Sequence, residues 1–405
     1  MHSHGHGHSH GSGLHRDEIP ARTRRLLTLV TVPLILLTLL GFVLLRPTAR
    51  MDLSEAIELP TDLYNGTVTA INAVPCPGLE DQAPDCRQAE VRLTEGQNEG
   101  ETVTFDVGDP NAVRVVEEGS KIVVARTRIE PGTYAYDFAD VQRGVPMTVL
   151  ALIFAAVVIA LGRLRGVAAL VGIGVSLAIL VQFVLPAILS GRNPLAVSVV
   201  GSSAVMFIAL YMSHGVNVRT TSAMLGTLAS LAITALLALV FVELSQLTGF
   251  ASEEATYIQV ASASINLQGI LLGGIIIGSL GVLDDVTVTQ ASAVWELHLA
   301  NRTMGAAELY RAAIRIGRDH IASTVNTLVL CYAGAALPLL ILFTLAESRL
   351  GDVLTGEVVA EEVIRTLVGS IGLVASVPIT TGLAVLVVRG SRKTNAEAPL
   401  IPEQD

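Results

Sequence analysis

Long apolar runs recur along the chain, broken by one polar region and by short charged links. The first run covers residues 26–45. Later ones cover residues 145–162, 167–189, 195–212, 223–242, a run starting near 267, then 321–345 and 363–388. Each approaches the ~20 apolar residues that cross a bilayer as a helix. Residues 50–144 are the only sizeable polar region. There, apolar and polar positions alternate in GTVTAI (66–71), AEVRL (89–93), ETVTFD (101–106) and KIVVA (121–125), bounded by Gly, Pro and Asn. Period-two alternation marks β-strands, and about five strands in so short a stretch predict a small antiparallel barrel or sandwich of OB-like shape. The pattern as a whole predicts a polytopic α-helical membrane protein with about eight transmembrane helices and one small inserted β-barrel domain.

Charge sets the expected orientation. Arg22, Arg24 and Arg25 precede the first run and hold that end in the cytoplasm. The run is longer than a signal-peptide core, and Arg46-Pro47-Thr48-Ala49-Arg50 offers no clear small-residue cleavage site, so it reads as a retained span. Alternate crossings then place Arg163, Arg165, Arg219, the link with Arg302, Arg311, Arg315 and Arg318, and the tail with Arg389, Arg392 and Lys393 in the cytoplasm. The acidic links at 243–254 and 347–362 fall outside, as the positive-inside bias requires. The expected organisation is a leader (1–25), a first transmembrane helix (26–45), an extracytoplasmic β-domain (50–144), a helical membrane domain (145–390) and a cytoplasmic tail (391–405).

Composition agrees. Hydrophobic residues make up 51% and charged residues 15%, against about a quarter charged in soluble domains. The net charge of -10 and the lack of a basic patch interleaved with aromatics argue against a nucleic-acid partner. No G-x-x-x-x-G-K-[ST] run occurs, which argues against ATP-driven transport by this chain alone. Cys76 and Cys86, ten positions apart in the exported region, are expected to close a disulfide loop; two free thiols on an inward-facing domain is the alternative. His2, His4, His6, His8 and His10 alternate with Ser and Gly. They form either a flexible divalent-metal binder or an incidental polar tail.

The chemistry concentrates in residues 273–297, GGIIIGSLGVLDDVTVTQASAVWEL, where an apolar run meets Asp284 and Asp285. Ionisable groups in a bilayer are costly and usually functional. At helical spacing Asp285, Thr289, Ser292 and Glu296 share a face, expected to look into protein or a wet path rather than lipid. A second polar stripe lies downstream: Asp319, Ser323 and Asn326 share one face, and His320, Thr324 and Thr327 a neighbouring one. Such oxygen-rich sets suit hard cations, and a carboxylate with His also suits proton relay. The structural alternative is that Asp284 and Asp319 cap helices while the hydroxyls glue spans together. Leu267 to Leu283 is short for a crossing, which favours a helix continuing past the aspartates.

GVLDDVTVTQASAVWEL (281–297), GRDHIASTVNTLVLCYAGAALPLL (317–340) and the His214-Gly215 link resemble the YibE/F-like family of bacterial multi-pass membrane proteins. The resemblance implies a bacterial plasma-membrane protein with an amino-proximal extracytoplasmic domain, running from that domain through the last span. It brings no established activity. The leading expectation is a secondary transporter or channel for an ion or small solute, with a divalent metal as first guess and a proton as alternative coupling ion. Asp284 and Asp285 would bind it, with Thr287, Thr289, Gln290, Asp319, His320, Ser323 and Asn326 completing or gating the site. The alternatives are a non-transporting scaffold or sensor acting through the β-domain, and a weaker reading as an intramembrane hydrolase with paired carboxylates. No nucleophile elbow or zinc motif supports an enzyme, no cofactor is implied, and a homo-oligomer is left open.

Overall fold

Alternation builds the polar region into one sheet. The computed structural model describes residues 21–47, 62–74, 86–96, 98–108, 116–130, 133–261, 265–345 and 350–395. The chain divides into two compact units, Asp52–Leu161 and Met1–Met51 with Gly162–Asp405. In the first unit, β1 (Asp62–Val74), β2 (Cys86–Leu93), β3 (Thr102–Gly108), β4 (Lys121–Glu130) and β5 (Thr133–Val141) form an antiparallel sheet of order β3-β2-β1-β4-β5. The long β1 serves two partners. It pairs with β4 from Asp62↔Arg126 to Thr67↔Lys121, and with β2 from Gly66↔Leu93 to Val74↔Cys86. A bulge between Val68 and Ala70 bends it, and bulges sharpen strand twist. The edge strands β3 and β5 approach each other, so the sheet curls.

Tyr64, Val68, Val91, Leu93, Phe105, Ile122 and Val124 point into the curl and are buried. Gly96 takes φ +92°, and a side chain there would strike the Tyr64 ring, so glycine is required twice over. Arg126 is 9% exposed. Its guanidinium pairs with Asp62 and lies 5.0 Å from the Tyr64 ring centre and 4.3 Å from that of Tyr134. Ring faces attract a cation at this range.

The helices are α1 (Ala21–Leu44), α2 (Gly144–Gly162), α3 (Leu164–Ile179), α4 (Leu185–Leu189), α5 (Pro194–His214), α6 (Val218–Leu244), α7 (Glu253–Ala261), α8 (Leu267–Ala300), α9 (Ala306–Ala335), α10 (Leu337–Leu345), α11 (Leu350–Thr355) and α12 (Glu357–Asn395). Seven helical stretches among the described residues are long and apolar enough to cross a membrane: α1, α2, Leu164–Leu189, α5, α6, α8 and Glu357–Gly390. The pair α9 and α10, bent by 59°, makes up to eight if it counts as one span.

Asparagines start three of these helices. Asn193, Asn217 and Asn266 each accept a bond from a backbone N–H of the following first turn, the ordinary work of an N-cap. Between α3 and α4, Leu180–Val184 forms a π-helical turn, closed by the Leu185 N–H to the Leu180 carbonyl. Pro186 follows at once. Proline cannot donate to the carbonyl four residues back and crowds it, so the wider turn relieves the clash.

α6, α8 and α12 pack mutually, and α8 and α12 are the most buried spans, 56% in each apolar stretch. The α6–α12 contact is reciprocal. A Cβ at Gly226 would lie 2.1 Å from Thr380 Oγ1, and one at Gly372 would lie 1.9 Å from Thr234 Oγ1. The two helices therefore run antiparallel, each presenting Gly-x-x-x-Ser-x-x-x-Thr: Gly226, Ser230, Thr234 against Gly372, Ser376, Thr380. The likeness extends outward, for Arg219-Thr220, Ala229, Ile233 and Leu237-Ala238 in α6 recur as Arg365-Thr366, Ala375, Ile379 and Leu383-Ala384 in α12.

Gly226→Ala should lower stability by about 1–3 kcal/mol, the usual cost of overpacking. Thr380 cannot turn away, because its Cβ and Cγ2 would also lie only 3.0 and 3.2 Å from the new methyl. Adding Thr380→Gly should restore part of the loss. Thermal unfolding in detergent reads both; an unchanged midpoint for the single variant would contradict this packing.

Candidate functional site

Asp284 and Asp285 lie near the middle of α8, and Asp319 lies well inside α9. None of them caps a helix: Asn266 caps α8, and Gly305 precedes α9. At 1.5 Å per residue the 34-residue α8 is about 51 Å long, so the helix continues past the aspartates.

The two carboxylates have different surroundings. Asp284 is half-buried and lines a cavity of about 380 Å³ bounded by α3 with its π-turn, α5 and α8. α8 contributes Ile277, Leu280, Gly281 and Asp284, a stripe at helical spacing. α5 contributes Gly201, Ser202, Val205, Met206 and Ala209; α3 and the π-turn contribute Ile173, Ser176, Leu177, Leu180 and Val184. Gly201 lets the π-turn approach, since a Cβ there would lie 2.6 Å from Val184 Cγ2. Asp284 Oδ1 and Ser202 Oγ are buried without a hydrogen-bond partner. Ser176 Oγ donates to the Gly172 carbonyl at 2.8 Å and keeps its lone pairs. A buried polar atom left unpaired is costly and calls for an explanation.

Asp285, one residue on, is exposed, with Thr289 and Glu296 exposed and Ser292 half-buried on the same face. That stripe therefore points away from the packed interior. His214, at the end of α5, has Asp285, Arg165 and Arg219 as charged neighbours. The interior polar face of α8 is another one. Thr287 Oγ1 lies 2.6 Å from Thr227 Oγ1 of α6, and it reaches the Asp284 carbonyl at 3.1 Å. Gln290 Nε2 donates to the Ala313 carbonyl of α9 at 2.9 Å and to Thr381 Oγ1 of α12 at 2.7 Å. Gly317 leaves room for this amide, for a Cβ there would lie 2.8 Å from Gln290 Oε1. Thr287 and Gln290 thus join α8 to three neighbours.

On α9, Asp319, Ser323 and Asn326 are exposed, while Ile314, Ile321, Val325 and Leu328 pack inward. His320 is half-buried, its Nε2 without a partner. Among the described residues no hydrogen bond or ion pair links Asp284 or Asp285 to this helix's polar groups, and no three His, Cys, Asp or Glu gather where they could hold a metal ion. The expected face-to-face arrangement of the two polar stripes is not the one observed, because the apolar residues of α9 take the inward face. The leader histidines and Cys76 lie outside the described residues; Cys86 begins β2. Sequence reasoning missed Ser176 and Ser202, hidden among apolar spans. Pro186 was the readable sign of the π-turn beside them.

The geometry defines a class: a bundle of apolar helices with a carboxylate lining a half-open cavity among three of them. The model of the YibE/F-like protein family matches residues 150–390, more than half of the sequence, and the chain belongs to that family. The match begins within α2, so it does not reach back to the β-strands as the resemblance implied. No curated protein and no solved structure matches.

Gln290→Leu should cost about 1 kcal/mol, the loss of two interhelical bonds at the modest values such bonds have between spans. Unfolding in detergent measures it. A neutral substitution would show that these contacts do not hold α8 to α9 and α12.

Proposed function

We propose that this protein is an integral membrane protein of the bacterial plasma membrane that passes a small solute or ion through the Asp284 cavity. The observation that carries the reading is the carboxylate itself: Asp284 sits mid-helix, with one oxygen buried and unpartnered, facing a cavity large enough for a small molecule. An uncompensated carboxylate among spans is expensive to keep, and such groups mark substrate or ion pathways. The seven apolar helices, the bent pair and the family membership support the membrane setting. Eight crossings bring both termini to the cytoplasmic side, with the sheet outside. The order β3-β2-β1-β4-β5, with β3 near β5, fits an OB-like barrel. We read that domain as a docking or lid module.

Asp284→Asn should abolish flux in reconstituted vesicles while the protein still inserts and melts cooperatively. Asp285→Asn, on the outward face, should change flux far less. Equal flux from wild type and Asp284→Asn would remove the cavity from the pathway. A phenotype lost with the β-domain but untouched by Asp284→Asn would favour a scaffold or sensor instead.

A further inference from the structure

The donor set of the cavity narrows what it accepts. Divalent cations take six or more oxygen ligands, or several imidazoles and thiolates. This cavity offers one carboxylate, Asp284, and two hydroxyls, Ser176 and Ser202; the rest of its lining is aliphatic side chains, one methionine and glycine. Dehydrating a doubly charged ion into such walls would leave most of its coordination unmet. A quaternary ammonium is usually held by aromatic faces, and no aromatic residue lines the cavity. A protonated primary amine differs on both counts. It has a single charge to set against one carboxylate. Its three N–H donors match three acceptor oxygens, two of which, Asp284 Oδ1 and Ser202 Oγ, have no partner in the fold. An apolar body would take the aliphatic remainder of the space.

We propose that the cavity between α3, α5 and α8 binds a primary ammonium carrying a compact apolar group, with Asp284 as counter-ion and Ser202 and Ser176 as hydrogen-bond acceptors. The inference rests on the reading of this cavity as the substrate site, and it names the substrate class. Two sources share the chemistry: a free amphiphilic amine and the amine headgroup of a lipid. A free amine is favoured, because no basic side chain lines the cavity to receive the phosphate that a headgroup also carries.

The test is equilibrium binding, independent of transport. Full-length protein in phosphatidylglycerol nanodiscs is titrated calorimetrically with 1-aminoadamantane, with empty discs subtracted. Its near-isosteric neutral partner, 1-adamantanol, is titrated in parallel. The amine should bind at least tenfold more tightly than the alcohol. Asp284→Asn should weaken amine binding tenfold or more and leave the alcohol unchanged. Ser202→Ala should weaken it several-fold. Gly281→Leu keeps the carboxylate and fills the space; a Cβ at that position meets nothing within 4 Å, so this variant should fold and lose the amine. Zinc and calcium chloride should not displace the amine. Weaker apparent binding in discs containing phosphatidylethanolamine would assign the ammonium to the lipid headgroup; unchanged binding would assign it to a free solute.

The proposal is overturned if amine and alcohol bind alike, if wild type binds no amine above empty discs, if Gly281→Leu binds as wild type does, or if zinc or calcium competes. Asp284-dependent amine binding without flux would remove the transport reading and leave this site standing. Asp284-dependent flux of a metal ion without amine binding would do the reverse.

Discussion

Everything in the helical unit depends on how closely α6 and α12 can approach. In the membrane setting proposed above, apolar helices have no hydrophobic drive to associate, so contact must come from packing and hydrogen bonds. Glycine opposite threonine, twice over at Gly226–Thr380 and Gly372–Thr234, supplies the packing. Threonine is stiff about its first side-chain torsion, and three hydroxyls of this seam bond backbone carbonyls of their own helices: Ser230 that of Gly226, Thr234 that of Ser230, and Ser376 that of Leu373. The seam is therefore close, at the cost of leaving Thr380 Oγ1 buried without a partner. A flush α6–α12 pair presents a groove for α8, and Thr287 and Gln290 fasten it there.

Buried polar atoms without a partner occur at several places in the bundle, Ser198, Ser370 and Thr380 among them, and the cavity brings two of them together. Ser230, Thr227, Thr287 and Gln290 all find partners within the bundle. Asp284 Oδ1 and Ser202 Oγ do not. The difference lies in the neighbouring helix. Where α6 meets α12, glycines bring backbones together. Across the cavity from α8, the π-turn that Pro186 imposes widens the helix that follows α3, and Leu180 and Val184 bound an opening instead of filling it. Consistent local choices build the rest of the fold, and departures from them concentrate at functional sites.

Much of this was legible in the sequence. Apolar run length located the spans, because twenty apolar residues have few alternatives to a crossing helix. Alternation located β1, β2, β3 and β4, since one face of each meets a core. β5, TYAYDFADV, carries the same alternation in Tyr134, Tyr136 and Phe138, yet its core face is only partly buried and its apolar residues are spread among acids. The helix starts were less legible. Asp284 and Asp319 stand where a cap is plausible, but the helices run on through both; Asn266 caps α8, and α9 starts after Gly305. The reciprocal glycine seam was invisible in one dimension: its halves lie far apart in sequence, and only antiparallel contact gives the shared spacing meaning.

The aspartate pair shows most clearly what a linear reading misjudges. Adjacent letters suggest one site with two carboxylates, the ordinary start of a metal centre or a proton-sharing dyad. On a helix, successive side chains diverge by about 100°. α8 is continuous through both residues, so the pair cannot act as a unit unless the helix breaks. Asp284 turns toward α3 and α5 and into the cavity; Asp285 is exposed, in the neighbourhood of His214 at the end of α5. The helix runs unbroken through Gly281 before them and Thr287 after, although neither residue type favours a helix. What looks like doubled acidity is separated by helical geometry: one carboxylate lines the cavity, and its neighbour is exposed on another face of the helix.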